Sequence, residues 1–170
     1  MMNPLPLLTT SRELRYFAVT AEPNAVAEAI RGWSDAGLVT RIVRGHKMRT
    51  WNGVFDEFAA ALQFPWYFGE NVDALKDCIT DLDWLPPQAG YVITINNAGD
   101  VLVDAEPGAL DRLVGLLDDS CEEWAEPVEQ GEWWDRPGVP FHVVLHVTGD
   151  STAALKRWTA AGGDVVPFPT

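Results

Sequence analysis

Short β-rich apolar runs alternate along the chain with longer segments of helical periodicity, and this alternation constrains the fold more than any other feature. The strand-like runs lie at residues 14–20, 38–43, 91–95 and 141–147. Apolar residues recur at helical spacing within residues 25–33, 50–62, 71–83, 107–124 and 151–161. Strands that alternate with helices are typical of an α/β domain. The sequence therefore predicts an α/β fold with a small, mainly parallel β-sheet flanked by helices.

The size and charge of the chain narrow the possible functions. Its 170 residues suit one domain of about 100 to 150 residues with extensions, and are too few for two full domains. Twelve Lys and Arg against twenty-five Asp and Glu leave a formal net charge of −13. This charge repels phosphate backbones, so we expect no direct nucleic-acid binding, whereas a basic partner would be attracted.

Cysteine placement and hydropathy indicate the compartment. Cys78 and Cys121 both fall on apolar helix stripes, so they are predicted to be reduced thiols in the core. The first ten residues lack the pattern of a signal peptide, and no uncharged apolar run approaches the ~18 residues of a membrane span. We therefore expect a cytoplasmic protein without membrane association.

The helix predicted to begin near Val72 carries an unusual row of charge. At about 100° per residue its apolar side chains share one arc, and Asp73, Asp77 and Asp81 stack on the exposed arc at i, i+4 and i+8. Like charges at this spacing destabilise a helix by a few tenths of a kcal/mol per pair, and only Asp73, in the first turn, gains from the helix dipole. The row is either a solvated face or a binding site, and the residues alone leave both open.

Three adjacent aromatic residues precede this helix. Trp66, Tyr67 and Phe68 cannot all face one core, and Gly69 is expected to supply the backbone freedom needed to enter the helix. Rings beside a row of carboxylates form a plausible protein-binding surface, since rings contribute contact area and carboxylates contribute steering.

The sequence between Phe64 and Thr80, FPWYFGENVDALKDCIT, resembles the central motif of the barstar family of intracellular ribonuclease inhibitors. The resemblance implies a three-layer barstar-like fold over residues 38–147. Residues 1–37 are then an N-terminal extension, a strand and a helix packed on the core, and residues 148–170 are a C-terminal helical extension. The loop around Trp133 and Trp134 looks like an insertion.

The resemblance also implies a partner-binding surface. Asp77 matches the aspartate that enters the nuclease's phosphate pocket, Asp73 a second acidic contact, and Tyr67 a ring that packs on the nuclease. The further implied contact positions are Phe68, Gly69, Asn71, Lys76, Thr80 and, by a looser match, Asp119. Lys76 departs from the pattern, since it stands where the family has a contacting tryptophan. The implied partner is a basic, extracellular-type ribonuclease, barnase-like or related, and the implied protein is an inhibitor with no cofactor or metal and no catalytic activity.

Elementary chemistry supports this assignment independently. A site that cleaves RNA must aim basic groups at a phosphate, and a carboxylate there copies the charge and accepts bidentate arginine bonds. A net charge of −13 would accelerate encounter with a cationic enzyme.

Two other classes stay open. The aspartate row could hold Mg²⁺ or act as an acid–base pair in a hydrolase, although no convergent group from a second segment is evident. His142 and His146, four residues apart on a strand, are about 13 Å apart and too distant to ligate one metal. The other class is an acidic interaction domain with a non-nuclease partner, which the departure at Lys76 favours.

Overall fold

A computed structural model describes residues 5–10, 12–13 and 15–168, which form an α/β fold with one five-stranded sheet. The strands are β1 (Tyr16–Val19), β2 (Leu38–Arg44), β3 (Gly90–Asn96), β4 (Phe141–His146) and β5 (Val165–Pro167). The α-helices are α1 (Leu5–Thr10), α2 (Pro23–Asp35), α3 (Trp51–Leu62), α4 (Val72–Asp81), α5 (Ala109–Ala125) and α6 (Thr152–Ala160). Two short 3-10 turns occupy Gly45–Lys47 and Ala98–Asp100.

The strand order is β2-β3-β4-β1-β5, and every pairing is parallel. The predicted α/β class with a mainly parallel sheet is therefore confirmed. Four strands match the predicted runs, although Leu14, in the first of them, lies outside the described residues. The sequence patterns do not predict α1 and β5, because a six-residue helix and a three-residue strand that includes a proline are too short to show a period.

Helices cover both faces of the sheet. The larger core packs α3, α4, α5 and α6 on one face, where it includes Phe58, Leu117 and Trp158. The smaller core on the opposite face holds Leu8 of α1 and Trp33 of α2. Every residue of β4 is buried, as expected of a central parallel strand covered on both faces.

Helix α4 is defined by its ends and by its apolar face. The side-chain oxygen of Asn71 accepts a hydrogen bond from the Ala74 amide at 2.9 Å, as in an N-cap. Leu75 and Ile79 are fully buried, as predicted. The helix ends at Asp81 rather than Asp83 because Leu82 adopts a left-handed conformation with φ 46°.

The two cysteines lie on α4 and α5. Both are free thiols, as predicted, and burial raises the pKa of Cys121 to about 12. Cys78, however, is only partly buried, so its assignment to the core is wrong in that respect. It lies at the margin of the apolar face, between Asp77 and the buried Ile79.

Candidate functional site

A tight turn at residues 65–68, here called the aromatic turn, precedes α4. The Phe68 amide donates to the Pro65 carbonyl at 2.9 Å, which closes the turn. Phe68 packs edge-on against Phe64 and Phe55, with ring centroids 5.0 and 6.1 Å away. The other two rings point outward: Trp66 is 95% and Tyr67 is 69% exposed, and they meet edge-to-face at 5.9 Å. The turn therefore places one ring on the core and leaves two exposed.

The backbone conformation just before α4 differs from the sequence prediction. The residue with a left-handed conformation is Glu70, with φ 47°, and not Gly69. Gly69 instead provides space, since a Cβ there would lie 3.1 Å from the side-chain nitrogen of Asn71. That nitrogen donates to the Gly69 carbonyl at 3.1 Å. The assignment of backbone freedom to Gly69 was wrong, because a short side chain at the cap needed room rather than an unusual φ.

The acidic face of α4 is exposed as predicted. Asp73, Asp77 and Asp81 all lie on the surface. Among the described residues, no basic side chain forms an ion pair with Asp73 or Asp77. Asp81 differs, because partial burial and then the neighbouring Asp83 raise the pKa of its carboxyl group. Asp73 and Asp77, one turn apart on α4, thus carry exposed carboxylates that have no ion-pair partner within the described residues.

Lys76 and Asp119 are brought together by the packing of α4 on α5. The Lys76 ammonium lies 3.3 Å from the Asp119 carboxylate, and both side chains are more than a third exposed. The Thr80 hydroxyl donates to the Lys76 carbonyl at 2.9 Å, so its hydrogen is already used within the helix. All nine predicted contact positions thus lie on the aromatic turn, on α4 or on the adjoining surface of α5. Their role in binding stays a prediction.

Trp66 extends this surface and was not among the predicted contacts. It is the most exposed large apolar side chain of the described residues. The signal that could have found it is the run of three aromatic residues, because a turn that buries one ring leaves its neighbours outside.

The histidines contribute to the fold rather than to this surface. The ring of His142 is buried, with Nε2 3.1 Å from the Leu8 carbonyl oxygen. His146 is also buried. Its Nδ1 lies 3.2 Å from the Asn96 side-chain oxygen, and its Nε2 lies 2.8 Å from the Ala21 carbonyl oxygen.

Within residues 5–10, 12–13 and 15–168, no group of three or more His, Cys, Asp or Glu could hold a metal ion. In the same part of the chain, none of the helices has the length and apolar character needed to cross a membrane.

The fold and surface together define an α/β domain with an exposed acidic and aromatic face. A family model described as Barstar (barnase inhibitor) matches residues 38–146, more than half of the chain. The chain therefore belongs to the barstar family, which confirms the resemblance carried by the motif. No curated protein matches the chain.

Solved structures share the fold at low sequence identity. The Aeropyrum pernix ORC2 protein in ADPNP–ADP complexes is 13% identical with a TM-score of 0.57, over 98% of this chain and 44% of that one. Its ADP form is 12% identical with a TM-score of 0.60, over 97% and 45%. Drosophila ORC bound to AT-rich DNA and Cdc6 is 13% identical with a TM-score of 0.52, over 96% and 50%. The chain spans half or less of these proteins, and the likeness shows the fold alone.

Proposed function

We propose that this protein inhibits a small basic ribonuclease by placing the acidic face of α4 and the aromatic turn against the nuclease active site. The observation that carries the proposal is the pair Asp73 and Asp77. These carboxylates are exposed and unpaired within the described residues, and they follow the exposed ring of Tyr67 along a chain that belongs to the barstar family.

The proposed chemistry is mimicry of a phosphate. A ribonuclease site presents cationic groups to the scissile phosphate, and the Asp77 carboxylate can accept bidentate hydrogen bonds from an arginine in that pocket. Asp73, one turn earlier, adds a second negative charge. Tyr67 and Trp66 present flat apolar area beside these charges, which suits the desolvated centre of an interface.

The charge of the whole chain fits a basic partner. A formal net charge of −13 attracts a cationic protein from a distance and disfavours direct binding to nucleic acid. We propose that the protein acts in the cytoplasm and has no catalytic activity of its own, in keeping with a family of inhibitors. On this proposal residues 38–147 form the three-layer inhibitory domain, and β1, α2 and α6 with β5 are extensions that enlarge the sheet and its cover.

A second candidate is an acidic interaction domain whose partner is a basic protein other than a nuclease. Lys76 favours this candidate, since it stands at an implied contact position and pairs with Asp119 on the neighbouring helix. The pair replaces an aromatic contact by a neutralised charge pair, which alters specificity at the centre of the surface.

An inhibition assay separates the candidates. Purified protein is added to a panel of basic ribonucleases that includes barnase, and cleavage of a fluorogenic RNA is followed as the protein concentration rises. The proposal expects one-to-one inhibition of at least one enzyme. Absence of inhibition, together with capture of a basic non-nuclease protein on the immobilised chain, would support the second candidate. Hydrolytic turnover by the protein itself that a chelator abolishes would contradict both.

A further inference from the structure

Residues 126–138, here called the tryptophan loop, display a second pair of exposed rings. Trp133 is 89% and Trp134 is 48% exposed, and their ring centroids lie 5.4 Å apart in an edge-to-face arrangement. Large rings presented to solvent in a contiguous pair are typical of interaction sites rather than of an inert surface. Neither ring belongs to the surface built by α4 and the aromatic turn.

The loop holds these rings with its own hydrogen bonds. Val128 and Arg136 exchange two backbone bonds of 2.8 and 3.0 Å, which close the loop as a short antiparallel bridge. The Asp135 carboxylate accepts from the amides of Gln130 and Gly131 at 2.9 and 2.7 Å. The Trp134 indole donates to the Gln130 side chain at 3.0 Å. A loop organised before binding loses less conformational entropy when a partner arrives.

The base of the tryptophan loop lies against the end of α4. The Arg136 guanidinium stacks on Trp124 at 4.5 Å, and the Trp124 indole donates to the Ile79 carbonyl in the last turns of α4 at 2.9 Å. The aromatic turn precedes the first turn of the same helix. A ten-residue helix is about 15 Å long. A standard interface covers about 800 Å² on each partner, a patch roughly 30 Å across, so one partner can reach both ends.

The charge of the tryptophan loop indicates which kind of partner it can bind. Glu126, Glu129 and Glu132 are exposed around the two tryptophans. Arg136, the cation of the loop, is directed inward, where it donates to the carbonyls of Glu123 and Glu126. The outer surface of the loop is therefore acidic and aromatic, like the surface of α4, and complements a basic protein.

We propose that the tryptophan loop is a second docking element for the same basic protein that binds α4, so that one partner contacts Asp77 at one end of the surface and Trp133 at the other. This inference rests on the proposed function. The loop adds contact area and acidic charge beyond the helix and turn that define the motif, and it directs the protein toward partners with a basic surface outside the nuclease cleft.

The test uses the full chain and the ribonuclease of the panel that the wild-type protein inhibits most tightly. The double substitution Trp133→Ala and Trp134→Ala should raise the dissociation constant at least about tenfold, mainly through faster dissociation, because hot-spot tryptophans act on the bound state. Ile42→Ala is the matched control. Ile42 is also exposed, at 41%, but it lies on the edge strand β2 and shares the sheet face of Leu38, opposite α4 and α5, so its substitution should leave the constant unchanged.

Three results would overturn the inference, and they are distinguishable. If the double variant binds like the wild type while Asp77→Ala does not, the loop has no docking role and the proposed function stands. If sedimentation shows a dimer of the wild-type chain that the double variant lacks, the rings cover a second copy instead. If the wild-type protein binds no ribonuclease of the panel, the proposed function fails, and this inference fails with it. A melting curve of the double variant that matches the wild type shows that the loop change has not unfolded the domain.

Discussion

The sharpest prediction concerns two aspartates on the same face of α4. Asp77→Ala should weaken inhibition of the cognate ribonuclease far more than Asp81→Ala, although both carboxylates are exposed. Asp77 lies one turn from Asp73 near the aromatic turn, whereas Asp81 is the last residue of the helix. In the proposed complex the loss of Asp77 leaves several cationic donors of the nuclease buried without an acceptor, which carries a large penalty.

The magnitudes follow from the surroundings of Asp77. A buried charged contact at the centre of an interface costs at least about 2 kcal/mol on truncation, which is about a thirtyfold rise in the inhibition constant. A carboxylate at the rim contributes about 0 to 1 kcal/mol, less than about a fivefold change. Folding should respond in the opposite direction. Asp77→Ala removes like-charge neighbours at i−4 and i+4, each worth about 0.2–0.5 kcal/mol, so the free energy of unfolding should stay level or rise.

The assay compares inhibition constants and melting temperatures of the two alanine variants with those of the wild type. A large loss for Asp77→Ala at an unchanged melting temperature supports the placement of the site. Equal losses for the two variants, or a loss for Asp77→Ala accompanied by a lower melting temperature, would refute the reasoning, because the effect would then come from the helix rather than from a contact.

Three further predictions test the electrostatic attraction of the nuclease, the packing of α4 on the core, and the loss of folding stability at low pH. The association rate with the nuclease should fall steeply as salt rises while dissociation changes little, since screening beyond about 8 Å acts on encounter rather than on close contacts; stopped-flow association that ignores salt would contradict this. Leu75→Ala should lower the free energy of unfolding by about 2–5 kcal/mol in urea titrations, because the side chain is fully buried; a loss below about 1 kcal/mol would show that α4 is not docked as described. Hydrogen bonding to Arg44 lowers the pKa of Glu57, so the folded state binds this proton less tightly than the unfolded state. The contribution of the Glu57 carboxylate to the free energy of unfolding is therefore present above the unfolded pKa and is lost as pH falls through the folded pKa. Glu57→Gln should therefore flatten the acidic side of the melting-temperature profile, and an unchanged acidic slope would count against the ion pair.

The α4 region shows how far sequence patterns reach. The 3.6-residue period correctly placed Leu75 and Ile79 in the core and the three aspartates outside. The helix begins at Val72, where the pattern predicted its start, and Asn71 caps it. The far end of the helix was misplaced by two residues, because the left-handed conformation of Leu82 is not readable from a residue type that rarely adopts it. The same limitation applies to Glu70, which was overlooked in favour of the neighbouring glycine.

The amino-acid sequence by itself determined the α/β class, the two faces of α4, the family and the negative charge, because each depends on local periodicity, a contiguous motif or a simple sum of residues. The tertiary structure alone decided which partners these elements met. It inserted β1 between β4 and β5, paired Lys76 with Asp119 across two helices, and set the base of the tryptophan loop against the end of α4. These contacts join residues that are distant in the chain, and their selection depends on how whole apolar faces pack together, which no local pattern encodes.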